Sequence, residues 1–284
     1  MQLILQPDDG VAPLVQAIDR AKKTIDIVIF RFDLDAIEKA LTAAVGRGVA
    51  VRALIAHTNR GGEGKLRKLE SRLLKSGVTL SRTANDMVRY HGKLLIVDGR
   101  RAYALGFNYT RQDIEKSRSF GLVTRNPKIV RDIVKVIDAD HNRVPLVVSS
   151  SRVVVSPENA RDRLSAFIKG AKKELLIYDT GLTDDKMIAQ LKARAEAGVK
   201  VRVLGRVEKK WLEELPWRVR AFGGNLKLHV RCIIRDRKLA FVGSQSLRKL
   251  ELDQRREVGL ITKDARTVAR MAGVFEQDWK RSRS

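Results

Sequence analysis

Histidine, lysine, aspartate and asparagine follow one another at fixed spacing in the segment that begins at His91. The sequence HGKLLIVD places Lys93 two residues after His91 and ends at Asp98, and Asn108 lies ten residues further on. In a β-strand, residues two apart lie on the same face, so His91 and Lys93 should project together. An imidazole can attack phosphorus, while a cation and an amide neutralise and orient the non-bridging oxygens. The spacing therefore predicts phosphoryl chemistry in which a side-chain cation takes the place of a metal ion.

A second copy of this pattern begins at His229. The sequence HVRCIIRD carries Arg231 two residues after the histidine and ends at Asp236, and Ser246 lies at the position of Asn108. Two histidines on opposite sides of one phosphate permit attack by one and protonation of the leaving oxygen by the other, with the roles reversed in hydrolysis of the phosphohistidine. The pair predicts a two-step, retaining reaction without a cofactor, in one site that a single chain builds. A lone histidine is usually structural, but this matched pair favours catalysis or its remnant.

The two motifs resemble the signature of the phospholipase D superfamily, H-x-K-x4-D followed by a glycine- and serine-rich turn and an asparagine, present twice. The resemblance covers nearly the whole chain and implies metal-independent phosphodiester hydrolysis or transfer. The first copy fits apart from Leu105 and Gly106, where the family usually has two small residues. The second copy has Ser244 in its turn but Arg231 in place of lysine and Ser246 in place of asparagine. Arginine keeps the charge but is bulkier, and serine offers fewer donors than an amide.

In this family an acidic residue downstream typically holds the catalytic imidazole through its other nitrogen. Glu257 has the matching place after His229, which predicts a contact between these two residues, whereas the corresponding position after His91 is Ser119. Related enzymes with two motifs imply that the first histidine, His91, is the nucleophile and that His229 is the general acid. The carboxylate of Glu257 favours the reverse assignment. Both stay open, with His91 preferred as the nucleophile.

Several other residues have a simpler interpretation. Asp98 and Asp236 end their strands before a turn, and we expect them to hold the turn and its backbone. His57 follows an apolar strand and precedes a glycine-bearing loop, where it could line the pocket, although an ordinary loop histidine is the simpler interpretation. Cys232 is the only cysteine, so no intramolecular disulfide can form, and its apolar surroundings predict a small buried hydrophobe.

The elements that must position these residues follow from hydrophobic periodicity. Helical spacing over 12–22, 37–45 and 65–75 alternates with the apolar runs IDIVIF and VAVRALI, and KLLIVD and RAYALGF read as neighbouring buried strands joined by a tight turn. Helices that alternate with strands predict an α/β sandwich with a mixed sheet.

The chain also repeats itself once. AKKTIDIVIF at 21–30 matches AKKELLIYDT at 171–180, and RSFGLVT at 118–124 matches REVGLIT at 256–262. The order of the matched segments is the same in both halves, so we infer duplication of one α/β unit. The proline- and serine-bearing stretch 142–156 separates the copies. We expect a first half over 1–145 and a second over 152–284.

The chain is strongly basic. Its 57 Lys and Arg against 33 Asp and Glu give a formal charge of +24, spread along the sequence. Such a charge favours polyanionic or phosphate-bearing partners. The sequence has no long uncharged apolar run and no basic leader, so we expect a cytoplasmic protein, with an anionic membrane surface as a possible peripheral contact.

The motif predicts the reaction more closely than the substrate. Phospholipids are the preferred substrate class, and both halves of the site in one chain favour a monomer. A nuclease is the alternative, since the charge suits nucleic acid, although three Trp, four Tyr and eight Phe are few for a base-stacking platform. A third alternative is a polyanion-binding protein that has lost catalysis, as the residues at Arg231, Ser246 and Ser119 would allow.

Overall fold

The two halves of the chain fold into the same succession of helices and strands. The structure, a computed structural model, describes residues 1–59, 61–212 and 215–282. The first half comprises β1 (Gln2–Gln6), α1 (Ala12–Asp19), β2 (Thr24–Ile29), α2 (Asp35–Gly46), β3 (Ala50–Ile55), α3 (Glu63–Lys75), β4 (Thr79–Arg82), β5 (Arg89–Tyr90), β6 (Leu94–Val97), β7 (Arg101–Leu105), α4 (Arg111–Glu115), β8 (Ser117–Thr124) and α5 (Pro127–Asn142).

The second half repeats this order. It comprises β9 (Val153–Ser156), α6 (Ala160–Lys169), β10 (Glu174–Leu182), α7 (Asp185–Glu196), β11 (Lys200–Val207), α8 (Lys209–Leu212), β12 (Arg218–Arg220), β13 (Lys227–Leu228), β14 (Arg231–Arg235), β15 (Leu239–Gly243), α9 (Lys249–Asp253), β16 (Arg255–Thr262) and α10 (Ala265–Arg281). Residues 143–152 join α5 to β9. Two related α/β units, as the repeat predicted, are confirmed.

Each half is built on a mixed β-sheet. The first sheet has the order β1-β8-β7-β6-β2-β3-β4, in which β2, β3 and β4 run parallel and the other neighbours are antiparallel. The second has the order β12-β11-β10-β14-β15-β16, with β9 antiparallel to β16. Both motif histidines lie just before a central strand, β6 or β14, so the site lies at the N-terminal ends of these two strands.

Side chains on opposite faces of each sheet enter different cores. In β2, Ile27 packs beneath α1, α2 and α3, whereas its neighbour Val28 faces the other half of the molecule. The second sheet is covered in the same way by α6 and α7. Between the sheets lies a shared core to which both halves contribute, with α5 and α10 supplying side chains such as Ile133 and Phe275. The periodicity of 2 in the strands therefore sets both the outer layers and the interface between halves.

Each sheet also takes one short strand from the other half. β5, which ends just before His91, pairs in parallel with β16, and β13, which ends just before His229, pairs in parallel with β8. The backbone continues this pairing, because the His91 amide donates to the Arg256 carbonyl at 2.7 Å and the His229 amide donates to the Arg118 carbonyl at 3.1 Å. Each histidine is therefore attached to a strand of the opposite half.

Two buried arginines secure this exchange. Arg118 in β8 binds Asp278 of α10, with Nε donating to Oδ2 at 2.9 Å, and Arg256 in β16 binds Asp140 of α5 in the same way at 2.9 Å. Each ion pair joins one half to the other, and all four side chains are buried. The exchanged strands are thus held by side-chain contacts as well as by backbone pairing.

Candidate active site

His91 lies against the carboxylate of Glu257. Its Nδ1 is 2.8 Å from Glu257 Oε2, and the two residues are 7% and 0% exposed. Arg255 and Arg256 of β16 pair with the two residues of β5, so the residues that follow, Glu257 and His91, lie opposite each other. A carboxylate on Nδ1 keeps the proton on that nitrogen, which leaves the Nε2 lone pair free to attack.

His229 lies beside Ser119 and a second carboxylate. Its Nδ1 is 3.5 Å from Ser119 Oγ and 3.3 Å from Asp113 Oδ2. The predicted contact between Glu257 and His229 is therefore wrong: Glu257 contacts His91, and Ser119 takes the equivalent place beside His229. The exchange of β5 and β13 is the reason, because it moves each histidine to the strand of the opposite half.

Asp113 is the residue that motif comparison missed. It lies in α4, 6% exposed, and its Oδ2 accepts hydrogen bonds from the backbone N of Asn108 at 2.8 Å and from its Nδ2 at 2.7 Å. One carboxylate thus contacts both the amide and the second histidine. Its match in the other half, Glu251, accepts from the backbone N of Ser246 at 2.7 Å. This shared spacing of an acidic residue, five after Asn108 and Ser246, was the available signal.

The two motif cations are placed alike. Lys93 Nζ donates to the His91 carbonyl at 2.7 Å and lies 5.1 Å from the centre of the Phe30 ring. Arg231 Nη1 donates to the His229 carbonyl at 3.2 Å, and its Nε donates to Ser246 Oγ at 3.3 Å. Each cation therefore lies beside its own histidine.

The polar groups at the end of each motif differ between the halves. Asn108 Oδ1 is buried and has no hydrogen-bond partner within the described part of the chain. Ser246 is fully buried, and its Oγ lies 3.0 Å from Thr180 Oγ1. Ser244 is also buried, with its Oγ accepting from the Val258 backbone N at 3.2 Å. The first half thus has an amide whose oxygen lacks a donor and whose nitrogen is held by Asp113, while the serines of the second half are already bound.

Asp98 and Asp236 hold backbone at the outer ends of the hairpins. Asp98 Oδ1 accepts from the amides of Lys23 at 2.7 Å and Thr24 at 3.1 Å, and Asp236 Oδ1 accepts from Lys173 at 2.7 Å. Both have positive φ, 54° and 53°, which suits aspartate at a tight turn. His57 is exposed, and its backbone N donates to Thr83 Oγ1.

Burial controls the protonation of the site. Burial lowers the pKa of His91 well below its usual range, and the charges of Lys93 and Arg231 lower it further. The same causes, burial first and then Arg231 and Lys93, lower the pKa of His229. Burial also raises the pKa of Glu257, although the charge of Lys93 opposes this. Both imidazoles are therefore neutral at neutral pH before an anion binds.

A cleft of about 420 Å³ opens beside His229. Its walls come from the loops after β2 and β3, from the start of α3 and from β13, and they include Arg31, Lys65 and Lys227. Asn108 and Asp113 also line it. The cleft therefore brings together His229 of the second motif and Asn108 of the first, and His57 does not line it.

Comparisons with known proteins identify the family and similar folds. The family described as "Cardiolipin synthase, PLD-like domain" matches residues 14–141 and 164–279. Mitochondrial cardiolipin hydrolase of Danio rerio is 25% identical over 118 residues, which cover 42% of this chain and 51% of that protein.

Two solved structures share the fold. Polyphosphate kinase from Porphyromonas gingivalis superposes with a TM-score of 0.82 at 19% identity, over 98% of this chain and 47% of that one. Phosphatidylserine synthase of Haemophilus influenzae superposes with a TM-score of 0.74 at 11% identity, over 99% of this chain and 87% of that one. The chain thus spans about half the length of the Danio rerio protein and of the polyphosphate kinase. The family match over both halves, together with the paired motifs, shows that the chain belongs to the phospholipase D superfamily.

Proposed function

We propose that the protein is a metal-independent phosphodiesterase in which His91 is the nucleophile and His229 is the general acid. The buried hydrogen bond between His91 Nδ1 and Glu257 Oε2, at 2.8 Å, carries this assignment. It supports a neutral imidazole whose Nε2 is free, and it gives the stronger carboxylate support to His91. The order of the motifs and the position of Glu257, which conflicted in the sequence, now both favour His91.

In the first step, Nε2 of His91 attacks phosphorus and the bond to the leaving oxygen breaks as His229 donates a proton to it. Lys93, Arg231 and the Asn108 Nδ2 hydrogen that does not bond Asp113 bind the non-bridging oxygens, where negative charge increases in the transition state. In the second step, His229 removes a proton from water, which attacks the phosphohistidine and releases the phosphate monoester. The configuration at phosphorus is retained because two inversions occur.

This scheme requires a protonated His229 at the start, although burial lowers its pKa. A phosphodiester brings a negative charge into the site, and an anion in contact with an imidazole favours its charged form. Asp113, 3.3 Å from Nδ1, acts in the same direction. Substrate binding and proton uptake by His229 are therefore coupled, which suits a general acid that must be charged only in the complex.

Phospholipids are the substrate class that we propose first. The support is the family description, which names cardiolipin synthase, and the name of the Danio rerio relative, which names cardiolipin hydrolysis. No helix in the described part of the chain is long and apolar enough to cross a membrane. Nucleic acid is the second candidate, favoured by the charge of +24 and by the lysines of the cleft.

Hydrolysis of bis(p-nitrophenyl) phosphate in the presence of EDTA tests the reaction without a choice of natural substrate. We expect turnover that the chelator leaves unchanged and that His91→Ala and His229→Ala each abolish. Rapid acid quench should trap a phosphohistidine on the peptide that contains His91. Turnover that needs added metal refutes the mechanism, and a label on the His229 peptide reverses the roles. Absence of any turnover favours a polyanion-binding protein.

A further inference from the structure

At the place in the second half that matches the cleft beside His229, an arginine side chain occupies the space. Thr110 lines the cleft, and the residue at its repeat position is Arg248. Arg248 covers Gly181, which is the repeat position of Arg31: its Nε donates to the Gly181 carbonyl at 2.7 Å and its Nη2 donates to the Thr180 carbonyl at 3.1 Å. A Cβ on Gly181 would lie 1.6 Å from Arg248 Nη2, so the arginine fills this space.

The open side is the side of the general acid. His229 lines the cleft, and the proposed mechanism has His229 protonate the leaving oxygen. In an in-line displacement the leaving group departs opposite the nucleophile, so the group attached to that oxygen must extend past His229. The cleft is where this group can lie, and by microscopic reversibility it is also where an acceptor alcohol enters.

The walls of the cleft carry cations whose charges are not neutralised. Lys65 and Lys227 are exposed and form no ion pair within residues 1–59, 61–212 and 215–282. Among the described residues, Arg31 donates one long hydrogen bond of 3.5 Å, to the carbonyl of Asn59. Asp33 and Asp113 also line the cleft, where Asp33 accepts from the Arg111 amide at 2.6 Å and Asp113 accepts from Asn108. Arg31, Lys65 and Lys227 outnumber these two carboxylates, so the net charge of the described lining is positive.

A buried acceptor also points to a ligand with a hydroxyl group. Asn59 is 3% exposed and lines the cleft, and its Nδ2 donates to the Phe30 carbonyl at 3.3 Å. Its Oδ1 is buried without a hydrogen-bond partner within the described part of the chain. A buried acceptor that lacks a donor is costly, so a hydroxyl donor from a ligand would stabilise it.

We propose that this cleft is the leaving-group and acceptor subsite, and that it takes an alcohol that itself carries a phosphate. The inference rests on the proposed function, and it names the substrate class: diesters whose leaving group bears a second phosphate next to a hydroxyl. Cardiolipin and an RNA strand share this chemistry, whereas the choline of phosphatidylcholine carries the opposite charge. The lysines bind the second phosphate, and Asn59 Oδ1 accepts from the hydroxyl.

Partitioning of one intermediate between two acceptors tests the subsite. Bis(p-nitrophenyl) phosphate forms a p-nitrophenyl phosphoryl group on His91, and an acceptor hydroxyl then attacks phosphorus. The P–N bond breaks, a P–O bond forms, and His229 takes the hydroxyl proton. Glycerol 3-phosphate and glycerol present the same hydroxyls with and without the phosphate. Mixed diester products, counted by mass spectrometry, report the preference independently of the overall rate.

We expect wild-type protein to prefer glycerol 3-phosphate by about tenfold or more, since each exposed cation contributes a few-fold at most. Lys65→Ala/Lys227→Ala should reduce this preference to about threefold or less. Thr110→Arg, which copies Arg248, should reduce transfer to both acceptors. Lys68→Ala is the matched control, because Lys68 is exposed on α3 but does not line the cleft. Equal use of both acceptors by wild type, or a preference that survives in the double variant, overturns the proposal.

Calorimetry with glycerol 3-phosphate examines the subsite without turnover, so that failure of the reaction and failure of the subsite are distinguished. Binding by wild type that weakens in the double variant and not in Lys68→Ala supports the subsite. Binding that is the same in all three proteins rejects it. Cardiolipin micelles and single-stranded RNA then identify the source of the second phosphate: cleavage of that substrate slows in the double variant and not in Lys68→Ala.

Discussion

Replacing Asp113 by asparagine should shift the pH dependence of turnover through His229. The carboxylate contacts His229 Nδ1 at 3.3 Å and favours the imidazolium, so its removal lowers the pKa of His229 in the substrate complex. A hydrogen bond to a charged group contributes about 1.5–3 kcal/mol, and this distance favours the lower end. Since 1.36 kcal/mol corresponds to one pKa unit, we expect a shift of about one unit.

The assay is the pH profile of kcat with bis(p-nitrophenyl) phosphate, whose basic limb reports the general acid in the enzyme–substrate complex. The basic limb of Asp113→Asn should lie about one pH unit below that of wild type, with activity at higher pH reduced about tenfold. The asparagine Oδ1 can still accept from the Asn108 backbone, so the loop should remain in place.

A second substitution tests whether Asp113 acts on the imidazole of His229 or only holds the loop in place. Ser119 occupies the place beside His229 that Glu257 occupies beside His91, and its Oγ is 3.5 Å from Nδ1. Ser119→Glu in the Asp113→Asn background should therefore return the basic limb toward its wild-type position. Glu251→Gln is the matched control, since Glu251 binds Arg255 at 3.2 Å instead of a histidine, and should leave the position of the limb unchanged. An unmoved limb in Asp113→Asn refutes the role of this carboxylate.

Three further outcomes follow from contacts in the structure. Glu257→Gln should lower kcat/KM about tenfold to hundredfold by weakening the hold on His91, and an unchanged kcat/KM contradicts the assignment of the nucleophile. Asp278→Asn leaves the buried Arg118 only the more distant and largely exposed carboxylate of Asp8, at 3.5 Å, within the described residues. It should lower the free energy of unfolding by about 3 kcal/mol, measured by urea denaturation; an unshifted midpoint speaks against the ion pair. Partial burial raises the pKa of Asp98. Hydrogen bonds from the backbone amides of Lys23 and its two neighbours lower it by more, so this pKa lies below its usual value. Asp98 therefore stabilises the fold above the unfolded pKa of about 3.9 and loses this effect as pH falls through the lower folded pKa, so Asp98→Asn should flatten the acid limb of stability.

Local patterns predicted the parts of the site that depend on neighbours in sequence. The spacing of His91 and Lys93, the hairpins that end at Asp98 and Asp236, and the duplication of the α/β unit all follow from short-range periodicity. Cys232 is buried, as its apolar neighbours indicated. These features need only the geometry of a strand and its turn.

The contact between Glu257 and His91 depends instead on how the two halves are joined. Within one half, the distance in sequence from His229 to Glu257 favours a local pair, and nothing in either motif encodes the exchange of a two-residue strand. β5 and β13 are too short to show a periodic pattern. The helix α5 was not predicted either, although Ile129, Ile133 and Val136 repeat at helical spacing and are buried.

The exchanged strands also bear on how two equal halves could become unequal. A homodimer of a single unit would form the same crossed contacts, but every substitution would alter both histidines at once. In one chain, each half can change alone, and Ser119 and Glu257 show that the two sides have done so. Because each histidine contacts a strand of the other half, a substitution in one half alters the surroundings of the imidazole in the other half. Fusion of the two units thus allows the surroundings of the attacking and of the protonating histidine to change separately, although each half still needs the other.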